Sequence, residues 1–245
     1  MSETPAAPQA NTAGAIPSDV AKPQKILKCR GMRFPLDRNV LPPRIRTLLR
    51  NDAYEAKEAT AAKKLIKPQD VVMELGAGIG FMSTLVATQT PAKSVHSYEA
   101  NPQLLPYIAQ VHALNKVTNA HVTHAVLGER DGTAPFYIRK NFLASSLDPM
   151  EDSADCTKVD VPTRDVNAVI RDLSPTVLIC DIEGAEADLL PKMDLTGLRA
   201  VVIETHPQWI GKIGMQKVFR CLDAAGLVFF PRWSHGKVAV FRSDW

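Results

Sequence analysis

The chain has 245 residues, of which 45% are hydrophobic and 22% charged, with a formal net charge of +3. This is the composition of an ordinary globular protein, long enough to bury a sizeable core, and it excludes a fibrous or wholly disordered chain. No apolar run approaches the roughly 18 residues that span a bilayer, so an integral membrane protein is not expected, and no basic-then-apolar leader opens the chain.

Residues 1–24 are rich in Ala, Pro, Ser and Thr without apolar periodicity, which predicts a disordered tail. Residues 25–68 form a basic N-terminal extension. Residues 1–70 carry 13 Lys/Arg against 7 Asp/Glu, whereas the remainder carries 16 against 19. Lys25, Lys28, Arg30, Arg33, Arg44 and Arg46 account for much of the excess, which suits either a solvated face or an anionic partner. Residues 26–40 predict a hairpin or extended segment around Arg33-Phe34-Pro35. Pro42-Pro43 interrupts, and 44–64 read as one or two helices with a break at Asn51-Asp52. Cys29, Cys156, Cys180 and Cys221 form no C-x-x-C pair, so neither a disulfide framework nor a zinc site is expected, and a cytoplasmic location fits.

From residue 69 to 245 the pattern alternates. Apolar runs at 71–75, 94–98, 120–126, 176–180, 199–203 and 227–230 are separated by helical stretches at 79–89, 101–115, 164–171, 184–192 and 212–225. This predicts an α/β domain with a mostly parallel sheet covered on both faces. The last run pairs with Val238–Phe241 as a terminal antiparallel hairpin. Gly226 stands where a helix C-cap is expected.

The first strand ends in Glu74-Leu75-Gly76-Ala77-Gly78-Ile79-Gly80, a tight turn that offers bare backbone amides at a helix N-terminus. A dinucleotide fingerprint would place its third glycine at position 81, where the chain has Phe81. The second strand ends in Glu99, 19 residues after Gly80, where a carboxylate can accept both hydroxyls of a ribose. The cofactor-binding candidates are Glu74, Gly76, Ala77, Gly78, Gly80, Glu99, Ala100 and Asp181.

Three acids and a glycine follow the fourth run: Asp181-Ile182-Glu183-Gly184-Ala185-Glu186. Ligands in open α/β sheets sit outside the carboxyl ends of the strands, and buried acids there are costly unless they act on something. The fifth run ends in Glu204-Thr205-His206-Pro207. His206 is a candidate general base, neutral near pH 7, with Asp181 second and Glu204 beside them. Asp181, Glu204 and His206 could also hold a divalent metal, but no spacing rule selects one and none is assigned. Arg139, Asn141, Ser145 and Ser146, in the insertion before the fourth run, are candidate substrate contacts.

The Gly turn, Tyr98-Glu99-Ala100-Asn101-Pro102, the Asp181–Glu186 block and Glu204-Thr205-His206-Pro207 together resemble the FkbM-type S-adenosylmethionine (SAM)-dependent methyltransferases. Leu127–Gly132, Ser145-Ser146-Leu147 and Tyr54-Glu55 fit the same order. Glu74 and Gly78 stand where that family often has Asp and Asn. The resemblance implies a Rossmann-like seven-stranded class I methyltransferase sheet over 69–245 and SAM as cofactor. It places Ala125-Val126-Leu127 beside the adenine. It also implies O-methyl transfer to a hydroxyl of a small molecule, sugar or lipid-linked acceptor, with nucleic acid an unlikely partner. An RNA methyltransferase and a non-catalytic SAM-binding protein are the alternatives. Oligomeric state is not legible.

Overall fold

A computed structural model describes residues 25–139 and 156–244. Its centre is a seven-stranded sheet. In spatial order the strands are β11 (Val228–Phe229), β12 (Val238–Arg242), β10 (Ala200–Glu204), β9 (Val177–Cys180), β3 (Val71–Leu75), β4 (Ser94–Glu99) and β5 (Ala120–His124). Strands β10, β9, β3, β4 and β5 run parallel, whereas β12 is antiparallel to both β10 and β11. This is the expected class I sheet, terminal hairpin included.

The inner strands β3, β9 and β10 are buried on both faces, which is why they read as continuous apolar runs. Alternate residues serve different layers. Val72, Val95, Val177, Ile179, Val202 and Val240 face one core. Met73, Leu75, Leu178, Val201, Ile203 and Phe241 face the other. Helix α3 (Phe81–Gln89) contributes to the first core, and α5 (Val166–Leu173) and α7 (Pro207–Ala224) to the second. Helix α4 (Leu105–Leu114) supplies Tyr107 and Val111 to the first core, and α6 (Glu186–Leu189) is a single turn.

The N-terminal segment shares the first core. Strands β1 (Ile26–Cys29) and β2 (Met32–Pro35) form a hairpin. Its turn lies at Arg30-Gly31, both at positive φ (47° and 81°), as a two-residue hairpin loop requires, and Arg33-Phe34-Pro35 is extended in β2. Helices α1 (Pro43–Arg50) and α2 (Ala56–Leu65) add Ile45, Leu49, Ala59 and Ala62 to that core. Phe34 stacks on Phe81 with ring centroids 5.8 Å apart, and Tyr107 Oη donates to the Pro35 carbonyl at 2.8 Å.

A second sheet was not legible in the alternation. Strands β6 (Val126–Gly128), β7 (Gly132–Arg139) and β8 (Cys156–Asp165) form it, with β8 central. The apolar run expected as one strand over 120–126 is divided between two sheets. Strand β5 ends at His124, and Ala125 N–H donates to the Glu99 carbonyl at 3.1 Å. The chain then leaves the main sheet for β6.

The amino ends of the central strands are clamped by Asp70. It accepts from Arg199 Nε at 2.9 Å, Thr176 Oγ1 at 2.8 Å and Lys67 N–H at 2.6 Å. Arg199 also donates to the Leu65 carbonyl at 2.8 Å, tying α2 to β10. Among the described residues no helix is long and apolar enough to cross a membrane. Cys29, Cys180 and Cys221 are free thiols.

Candidate functional site

The carboxyl ends of β3, β4 and β9 open into a cavity of about 290 Å³. The three glycines of the turn, of which Gly76 and Gly78 line the cavity, differ in what they do. Gly76 lies where β3 passes β9, and a Cβ there would fall 1.9 Å from the Asp181 carbonyl oxygen. No side chain fits. Gly78 has φ +54°, and its nearest neighbour in the Cβ direction is Tyr54 Oη at 3.8 Å, so it faces open cavity. Gly80 caps α3 in the left-handed conformation, and a Cβ there would press on Ile108 at 2.9 Å. Gly80 is therefore a packing glycine.

Glu99 organises the turn. Gly78 N–H donates to its Oε2 at 2.8 Å and Asn101 N–H to its Oε1 at 2.7 Å. Burial raises its pKa to about 7, against the opposing effect of these backbone donors. Gly76, Gly78, Glu99, Ala100, Val126 and Asp181 line the cavity. Glu74, Ala77 and Gly80 do not. Glu74 is buried behind the turn, accepts from Ser97 Oγ and has its pKa raised to about 7. Burial is the main cause, the Ser97 bond lowers it and the neighbouring Glu99 charge raises it. Ala77 packs with Leu104 and Ile108. A ligand with ribose hydroxyls and an adjacent cationic group suits this cradle: a buried carboxylate at one strand end, bare amides in the turn and acids on the far wall.

The acids after β9 and β10 are brought together. His206 is 2% exposed and held by Glu186, which is fully buried. His206 Nδ1 and Glu186 Oε1 are 2.6 Å apart, and Gly184 N–H donates to the same oxygen at 3.1 Å. His206 Nε2 faces Glu183 Oε2 at 3.4 Å, Asp181 Oδ1 at 3.6 Å and Glu204 Oε1 at 4.0 Å. Burial lowers the His206 pKa, but the Glu186 bond and the Asp181, Glu186 and Glu183 charges outweigh it, so the net shift is upward. Asp181 is raised well above the usual carboxylate range by burial and by the charges of Glu204 and Glu183.

This geometry corrects the expectation of a neutral His206 acting directly on an acceptor. Neither His206 nor Glu204 lines the cavity; Asp181 and Glu183 stand between them and it. Sequence reasoning also gave no site role to Tyr54, Glu55, Asn101, Phe136 or Lys192, all of which line the cavity. Tyr54 and Glu55 precede α2 and Phe136 lies on β7, so only tertiary packing delivers them. Asn141, Ser145 and Ser146 lie outside the described residues, as does the Arg139 side chain.

The model of the TRM5/TYW2 methyltransferase domain family matches residues 48–133, from the end of α1 into β7. No curated protein sequence matches the chain. Among solved structures, the chain is similar to Trm5b from Pyrococcus abyssi at 16% identity and TM-score 0.48, covering 89% of this chain and 55% of that one. It therefore spans little more than half of that relative. It is also similar to M. jannaschii TYW2, solved with AdoMet, at 15% identity and TM-score 0.49, covering 89% of this chain and 86% of that one.

The matched family overturns the FkbM resemblance. With it go the small-molecule, sugar or lipid hydroxyl acceptor and the expectation that nucleic acid is an unlikely partner. The motifs behind that resemblance sit at strand ends that hold ligand in any sheet of this topology, so they report a site and not an acceptor. The matched model is that of a methyltransferase domain.

Proposed function

We propose that this protein is a methyltransferase acting on RNA, with tRNA the first class to test. S-adenosylmethionine is the cofactor. The observation that carries the reading is the TRM5/TYW2 domain match over 48–133, which contains the whole Gly turn and Glu99. Exposed Lys25, Lys28, Arg33, Arg38, Arg44 and Arg50 support it, because a basic surface complements the phosphate backbone.

In this reading Glu99 accepts the ribose hydroxyls, Ala100 and Val126 border the adenine, and the amides around Gly76 and Gly78 face the methionine portion. Transfer is an in-line displacement at the methyl carbon. The sulfonium is already a good leaving group, so the protein contributes mainly proximity and alignment. Where the accepting atom carries a proton, we take Asp181 and Glu183, among the carboxylates lining the cavity, as the groups that accept it. His206 and Glu204 act through them as positioning residues.

Incubation with methyl-labelled SAM and fractionated cell extract tests the acceptor. Label should enter RNA, survive protease and be lost to ribonuclease. Label confined to lipid, glycan or small-molecule pools would reject the proposal.

A further inference from the structure

On its Nε2 side the His206 cluster has the spacing of a ligand set, while Nδ1 is hydrogen-bonded to Glu186. One nitrogen and two carboxylate oxygens, from Asp181, Glu204 and His206, lie within 4.8 Å of one another. A cation about 2.0–2.2 Å from its N and O ligands holds those ligands roughly 3 to 4.2 Å apart. The observed 3.6 and 4.0 Å from His206 Nε2 to Asp181 Oδ1 and Glu204 Oε1 fall in that range. Both exceed the length of a hydrogen bond. Two further observations point to a missing ligand. Asp181 Oδ1 is inaccessible and has no hydrogen-bond partner, although it faces His206. The far nitrogen, Nδ1, is tied to the fully buried Glu186, the arrangement in which a carboxylate fixes the tautomer and orientation of a metal-bound imidazole.

We propose that Asp181, Glu204 and His206 bind one divalent cation of the Mn2+ type. One imidazole nitrogen with carboxylate oxygens and no thiolate suits such an ion better than Mg2+, which prefers an all-oxygen octahedron. Glu183 Oε2, 3.4 Å from His206 Nε2, is within reach as a further ligand. Asp181 and Glu183 also line the cavity, so the ion lies at its wall. On the RNA reading, the ion also offsets a cluster of acids that would repel a phosphate backbone; the binding claim itself does not need that reading.

The test is titration of the full-length protein with Mn2+, without SAM or RNA, following the free-ion electron paramagnetic resonance signal. Wild type should take up one equivalent. Asp181→Asn and Glu204→Gln should each weaken binding at least 10-fold. Glu186→Gln should weaken it about 10- to 100-fold through the lost orientation of His206. Melting temperature identifies any variant that fails to fold. No uptake by wild type, or uptake unchanged in the folded variants, overturns the proposal. Failure of label to enter RNA would leave the titration result standing, so the two readings fail separately.

Discussion

Gly76 and Gly78 belong to one short motif but answer to different constraints. Gly76 is compressed against the Asp181 backbone, whereas Gly78 faces the cavity. Gly76→Ala should therefore cost about 2–4 kcal/mol of stability, through overpacking against backbone that cannot yield and strain at positive φ. Gly78→Ala should cost only the roughly 1–2 kcal/mol of a left-handed residue, yet weaken SAM binding, because its methyl enters the ligand's space. Thermal melts and calorimetric titration of the two variants separate these outcomes. Glu74 gives a second prediction. Its pKa is raised to about 7 from an ordinary 4.5. Folding therefore favours its protonated form. That contribution is fully present below about pH 4.5 and is lost as pH rises through 7, a difference of about 3 kcal/mol. Glu74→Gln, uncharged at every pH, should melt above wild type at pH 8, with the advantage mostly lost by pH 5 and gone below about pH 4.

Strands β3, β9 and β10 are joined at one end by Asp70, Thr176 and Arg199 and opened at the other for the site. The clamp matters because α2 is tied through the same Arg199. Burial would raise the Asp70 pKa, but Arg199, the Lys67 N–H and Thr176 bring it below its ordinary value. The contribution of Asp70 is therefore present above its unfolded pKa and lost as pH falls through the folded one. Asp70→Asn leaves the Arg199 guanidinium with only the longer contact to Asp244 at 3.6 Å and the Leu65 carbonyl, and should cost about 1–3 kcal/mol near neutral pH. A denaturation midpoint within 0.5 kcal/mol of wild type would show that the clamp adds nothing. The Asp70 and Arg199 positions are unremarkable in sequence, 129 residues apart; they meet only because β3, β9 and β10 are neighbours.

At the scale of the whole molecule, the basic N-terminal segment is packed into the main core and its charges face outward. If RNA is the acceptor, affinity should fall steeply with salt, the slope in log–log form approaching −0.7 to −0.9 per phosphate contact. Replacing Lys25, Lys28 and Arg33 with Ala should flatten that slope while SAM affinity stays as in wild type. A slope unchanged by the triple substitution would move the RNA surface elsewhere on the molecule.

Local patterning determined the elements and half of the site. The alternation of apolar runs and helices, the Gly turn before α3 and Glu99 at a strand end are short-range features, because strand burial and turn conformation depend on neighbouring residues. The mostly parallel main sheet with its terminal antiparallel hairpin followed from them. The division of residues 120–128 between two sheets did not, since one apolar run looks the same whether or not the chain changes sheets at Ala125. Nor did the difference among the glycines, the enclosure of His206 by Glu186, or the arrival of Tyr54 and Phe136 at the cavity. Each depends on what another part of the chain places within a few ångströms. The sequence singled out the Gly turn and Glu99; only the tertiary structure brought His206, Asp181 and Glu204 within a few ångströms of one another, because they follow neighbouring strands.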